Sequence, residues 1–117
     1  IDKIGLGDKT LDDAVLEILH QGQKELNIQK TYSIRDATLI RDYDKPGYGV
    51  ITKNEKMAIK QLAQTEGILL DPVYSGRAFY GMIDYLKNNK IERNTNVLFW
   101  HTGGLPANFY YSKELLK

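Results

Sequence analysis

The sequence predicts an α/β protein, a three-layer α/β/α arrangement in which a mostly parallel sheet is covered by helices on both faces. Three observations carry that reading. Short apolar runs alternate with longer stretches of helical period along the whole chain. Helix starts carry capping patterns, and a glycine marks a stop. The later apolar runs are each followed by a glycine-bearing loop, and the strand–helix alternation implies right-handed crossovers and a mostly parallel sheet.

In order, "IDKIGL" (1–6) is a short apolar run that reads as a first strand. Thr10 followed by Asp13 forms an N-terminal capping pattern. Leu11, Val15, Ile18, Leu19 and Leu26 then share one stripe, which predicts a helix over about 11–26, weakened slightly by Gly22. "DATLIRDY" (36–43) alternates as a strand does, and "DKPGYG" breaks it. Thr52 with Glu55 is a second capping pattern, with Asn54 as the alternative cap, and Met57, Ile59, Leu62 and Ala63 follow. With Gly67 as the stop, these predict a helix near 54–65. "GILLD" (67–71) is a short buried strand. Ala78, Phe79, Met82, Ile83 and Leu86 recur at helical spacing between Gly76 and Asn88. "NVLFWH" (96–101) is the strongest strand signal, and Pro106 suits the first position of a short closing helix.

Composition narrows the function classes. The 117 residues, 42% apolar and 26% charged, are those of one ordinary globular domain or a piece of a larger one. Sixteen Lys and Arg against fifteen Asp and Glu give a net charge of +1, so no basic field points to nucleic acid. The absence of cysteine removes disulfides, thiolate nucleophiles and Cys-based zinc sites, and fits a reducing, cytoplasmic setting. No stretch approaches the roughly 18 consecutive apolar residues of a membrane span, and "IDKIGLGDK" is not a signal peptide. Beginning without Met at an apolar run, the chain is expected to lack upstream sequence.

Ligands in open α/β sheets sit outside the carboxyl ends of the strands. "DKPGYG", "DPVYSG" and "HTGG" leave three predicted strands by that end, so one rim would gather Tyr48, Tyr74, Ser75, His101 and Thr102 with Gly103 and Gly104. Each has an ordinary alternative. A tyrosine after a strand can be a packing residue with a bonded hydroxyl. Ser75 can simply cap the helix that follows, Asp71 before Pro72 can set a turn, and Gly-Gly can be a turn. His101 has no second ligand at metal spacing, so no metal site is expected. What favours a functional rim is the joint placement of three such loops.

"PGYGV", "EGILLDPVYSGRAFYGMIDYL" and "VLFWHTGGLPA" resemble the C-terminal third of the D-cysteine desulfhydrase and 1-aminocyclopropane-1-carboxylate deaminase family, pyridoxal-phosphate enzymes of the tryptophan-synthase-β-like fold (fold type II). The three motifs occur in order at matching intervals, densest from Tyr48 to Ala107; the first 45 residues match only in their pattern of elements. The resemblance implies pyridoxal 5'-phosphate as cofactor and a small amino acid as substrate. It implies that Tyr48 lines the substrate side and that Tyr74 takes part in proton transfer or nucleophilic activation. By the same resemblance Ser75 sits by the pyridine nitrogen, and Thr102 holds the ring edge with Gly103 and Gly104 leaving room. Family members are usually homodimers.

The deaminase branch is expected to show "VYEG" and "HLGG", where this chain has "VYSG" and "HTGG". A carboxylate facing the pyridine nitrogen stabilises its protonated form and strengthens the electron sink; a hydroxyl does so less. Ser75 and Thr102 therefore point to the desulfhydrase-like branch, α,β-elimination from a small amino acid giving keto acid, ammonia and sulfide, with ring opening second. The resemblance also implies that the Schiff-base lysine, its neighbouring asparagine and the phosphate loop belong to an N-terminal half that this chain does not contain. Lys45, Lys53 and Lys56 lie near the rim but in no such motif. Residues 1–117 are thus expected to be the C-terminal part of the cofactor-binding large domain, inactive alone. A non-catalytic α/β binding module that keeps the rim loops is the competing reading from a different class.

Overall fold

Helix formation follows the capping chemistry closely. In a computed structural model, which describes residues 9–88 and 90–117, α1 (Leu11–Glu25) starts at Thr10. The Thr10 side chain accepts from the Asp13 amide while Asp13 reaches back to the Thr10 backbone. α2 (Lys53–Glu66) repeats the device with Thr52 and Glu55, making Thr52 the cap rather than Asn54. Gly67 ends α2 in the left-handed region at φ 69°. Each such cap contributes about 1 kcal/mol.

The chain divides into two units, Ile1–Asp42 and Tyr43–Lys117. In the first, His20 on α1 bonds the Tyr32 carbonyl at 3.0 Å, and Arg41 pairs with Asp12 at 2.7 Å. A 3-10 turn, Ile34–Asp36, runs up to the first residue of the segment expected to be a strand, 36–43. Ser33 caps it in a box closed by Asp36, whose carboxyl is held down at about 2 by the Ser33 amide first, then Lys30 and the Ser33 hydroxyl. The expected strand at 1–6 lies outside the described residues.

In the second unit α2 packs on α3 (Ser75–Lys87). Ala58, Leu70 and Phe79 form the buried core, with Ile59, Leu62, Tyr80, Met82, Ile83 and Phe99 packed around it. Phe79 meets Phe99 edge-on, centroids 5.2 Å apart. Tyr43 fastens the start of the unit to α3, donating to Asp84 at 2.7 Å and meeting Tyr80 edge-on. Two short turns of helix, α4 (Ala107–Tyr110) after Pro106 and α5 (Ser112–Leu115), close the chain.

The sheet is where expectation and structure differ. Among the described residues none is in a β-strand: 37–41, 67–71 and 96–100 run without a ladder. Three backbone groups of 69–71 are taken by side chains instead. The Leu69 carbonyl meets His101 Nε2 at 2.9 Å, the Leu70 carbonyl accepts from Asn108 Nδ2 at 3.2 Å, and the Asp71 amide donates to Ser75 Oγ at 2.9 Å. Strand pairing is a non-local property, and an apolar run supplies only one side of it.

Candidate active site

The site begins at the corner between 67–71 and α3. Asp71 is fully buried at 0% exposure, followed by Pro72. Its carboxylate accepts from the Val73 and Tyr74 amides through Oδ2, both at 2.8 Å, and from the Ser75 amide and hydroxyl through Oδ1. Burial alone would raise this carboxyl, but those donors overcome it and leave it below its ordinary 3.8, so Asp71 is charged at neutral pH. Asp71 therefore secures the turn leading into α3, whose N-cap position is Tyr74. Ser75, expected in that role, is instead the first helical residue, 2% exposed, accepting from the Asp71 amide and donating to its carboxylate.

With the corner fixed, Tyr74 projects outward. Its hydroxyl lies 2.6 Å from that of Tyr48, and the two rings meet edge-on at 5.8 Å. Both side chains stay accessible, at 53% for Tyr48 and 55% for Tyr74. The hydrogen bond to Tyr48, reinforced by burial and the charge of Asp71, pushes the Tyr74 hydroxyl above its ordinary 10.0. At neutral pH Tyr74 is thus a phenol that holds a proton, and either hydroxyl can be the donor of the pair.

Arg77, one helical turn beyond Tyr74, joins the first loop to the second. Its Nε donates to Glu55 Oε1 at 2.9 Å, Nη1 to the Gly47 carbonyl at 3.0 Å and Nη2 to the Val50 carbonyl at 2.7 Å. Glu55, only 3% exposed, would be raised by burial; bonds from Thr52, its own amide and Arg77 bring it below its ordinary value.

The third loop is seated on the second. The Gly103 amide donates to His101 Nδ1 at 3.0 Å, so the ring proton sits on Nε2 and donates to the Leu69 carbonyl. Gly104, at φ 93°, lies against Asp71: a Cβ there would come within 2.5 Å of the carboxylate. A Cβ on Gly103 would meet open space. Thr102 is exposed, and no hydrogen bond holds its hydroxyl among the described residues.

The structure brings together the three loops named from sequence, with Tyr48 and Tyr74 in direct contact. Ser75 points inward to Asp71, and the glycine at 104 makes room for Asp71. Asp71 as a four-bond anchor and the Glu55–Arg77 pair were not found from sequence. Asp before Pro marked Asp71 as a turn residue but not as an acceptor of four hydrogen bonds; no local signal links residues 55 and 77. Among the described residues no group of three or more His, Asp or Glu could hold a metal ion, and no helix is long and apolar enough to cross a membrane.

Comparison with known proteins bears on the same stretch. The family model described as "Pyridoxal-phosphate dependent enzyme" matches residues 8–103. A D-cysteine desulfhydrase of Klebsiella pneumoniae (strain 342) is 39% identical over 107 residues, covering 92% of this chain and 33% of that protein. A Pyrococcus abyssi protein, provisionally named 1-aminocyclopropane-1-carboxylate deaminase, is 47% identical over 78 residues, 67% of this chain and 23% of that protein. A solved structure of an ACC deaminase homologue matches with a TM-score of 0.70 at 35% identity, covering 89% of this chain and 30% of that one. The chain thus spans 33% or less of the length of these relatives.

Proposed function

The chain belongs to the pyridoxal-phosphate dependent enzyme family, and from that premise we propose that it is the C-terminal part of the cofactor-binding large domain of a D-cysteine desulfhydrase-like lyase. The observation that carries this reading is the pair of accessible tyrosine hydroxyls, Tyr48 and Tyr74, 2.6 Å apart where two loops meet. The covalent lysine and the phosphate loop are assigned to the remainder of the full-length protein, so this part alone does not hold the cofactor covalently.

The residues present fit pyridoxal phosphate. The exposed Thr102 hydroxyl and the open space beside Gly103 offer a polar edge and room for a planar ring. We assign Thr102 and Gly103 to that edge. Ser75 already donates its hydroxyl hydrogen bond to the Asp71 carboxylate and accepts from the Asp71 amide, so it offers the ring nitrogen only a remaining lone pair. Gly104 acts one step back, by seating Asp71. When bound, the cofactor supplies an electron sink for charge developing at the substrate's α-carbon.

In the elimination, a base assigned to the remainder of the full-length protein takes the α-carbon's proton. The electron pair of that C–H bond forms the Cα–Cβ double bond, and the Cβ–sulfur bond breaks with its electron pair leaving on sulfur. We assign to Tyr74, held protonated, the role of giving that sulfur a proton, and to Tyr48 that of replacing it across their hydrogen bond; the 2.6 Å contact supports the assignment. The exposure of Leu69, Leu98 and Trp100 supports 67–70 and 96–100 as strands of a parallel sheet completed in the full-length protein. That surface also favours the homodimer usual in the family.

Ring opening of a cyclopropane amino acid is the second reading, favoured by the Pyrococcus abyssi relative. A full-length assay across D-cysteine, β-chloro-D-alanine, D-serine and 1-aminocyclopropane-1-carboxylate separates them. We expect keto acid with sulfide from D-cysteine and the fastest turnover on substrates with a β-leaving group. Turnover of the cyclopropane substrate alone would transfer the chain to the deaminase reading, and none at all would favour a binding module.

A further inference from the structure

We propose that Arg77 is a positioning residue, whose guanidinium ties the loop carrying Tyr48 to the helix that begins beside Tyr74 and so sets the contact between the two phenols. The proposal deepens the reading above and rests on it for its catalytic consequence. The geometry is specific. Arg77 binds the carbonyls of Asp44, Gly47 and Val50, which lie on both sides of Tyr48. Nε is spent on Glu55 Oε1, while Glu55 Oε2 accepts from the Thr52 amide and hydroxyl at the end of the same loop. The loop is therefore gathered from within, at three carbonyls and through its closing cap.

The other end of the clamp is rigid with respect to Tyr74. The Ala78 amide, next to Arg77, donates to the Tyr74 carbonyl at 3.0 Å, so both residues ride on the first turn of α3. A shift of the loop against that turn translates directly into the 2.6 Å hydroxyl separation. An ion pair serving stability alone would need Glu55; it would not need the loop carbonyls that flank Tyr48. The planar fork explains why arginine is required. Lysine presents a compact ammonium that can reach Glu55 but cannot span Gly47 and Val50 as well.

The deciding variant is Arg77→Lys in the full-length protein, because it keeps a cation against Glu55. Arg77→Gln with Glu55→Gln accompanies it and leaves no buried carboxylate unpaired. The readout is the ionisation of Tyr74 in cofactor-free protein, followed by NMR of ring-labelled tyrosine and assigned by the signal lost in Tyr74→Phe. Both variants should ionise Tyr74 at lower pH than wild type, in the direction given by Tyr48→Phe. In loaded enzyme they should lose about 10- to 100-fold in kcat. Adding Arg77→Lys to Tyr48→Phe should cost nothing further, because both act on one contact. An unchanged Tyr74 titration in folded Arg77→Lys, or losses that multiply in the double variant, overturns the proposal. Full turnover in Tyr48→Phe and Tyr74→Phe would remove the catalytic role of the pair, while a displaced Tyr74 titration would still uphold the clamp.

Discussion

At the scale of single residues, Asp71 decides more than any side chain that faces outward. Its carboxylate gathers three amides and a hydroxyl in a site with no solvent exposure. Asp71→Asn replaces one acceptor oxygen with an NH2 group, which must face N–H or O–H donors. The expected loss is about 1–3 kcal/mol, read from the denaturant midpoint of the full-length protein. The sign of the pH dependence follows from the lowered carboxyl. Its contribution is complete above the ordinary 3.8 and is lost as pH falls through the lower folded value. Wild type should therefore lose its advantage over the Asn variant below about pH 4; stability curves that run parallel there would contradict this. Much of this scale was legible in the sequence. Tyr48, Tyr74 and the three loops could be named from motif and spacing. The direction of Ser75 could not, because a hydroxyl beside a helix start is equally suited to capping, to ligand contact and to bonding a carboxylate four residues back.

At the scale of elements, the helices follow local chemistry and the extended segments do not. Thr10 with Asp13, Thr52 with Glu55, and Gly67 placed α1 and α2 within a residue or two, because a cap and its partner lie in one turn. The ladder expected for 36–43, 67–70 and 96–100 depends on partners distant in sequence, and among the described residues none of these segments is in a β-strand. The join between 67–71, α2 and α3 rests on Gly76, where a Cβ would lie 2.7 Å from the Asp71 carbonyl oxygen and 2.9 Å from Ile59. Helix propensity predicts that Gly76→Ala stabilises by up to about 1 kcal/mol. The packing predicts the reverse, because the Asp71 backbone is itself pinned at the corner and cannot give way cheaply. We expect a destabilisation of about 1–3 kcal/mol in urea unfolding; a stabilised variant would show that α3 has slack against the corner.

At the scale of the whole molecule, the two units carry different parts of the account. The Tyr43–Lys117 unit contains all three rim loops, the Glu55–Arg77 pair and the Asp71 corner. The Ile1–Asp42 unit contributes α1 and its own ion pairs. The chain covers 33% or less of its relatives' length, and under the proposed function the chemistry is tested in the full-length protein, of which these residues are proposed to supply one wall. The central claim is that Tyr74 moves a proton in an elimination reaction. Tyr74→Phe removes one hydroxyl and little volume, so the most direct measurement is sulfide release from D-cysteine by the full-length enzyme and this variant. The account predicts a loss of about 100-fold or more in kcat with the cofactor still bound and the fold retained. Turnover equal to wild type would contradict it and return Tyr74 to packing against Tyr48.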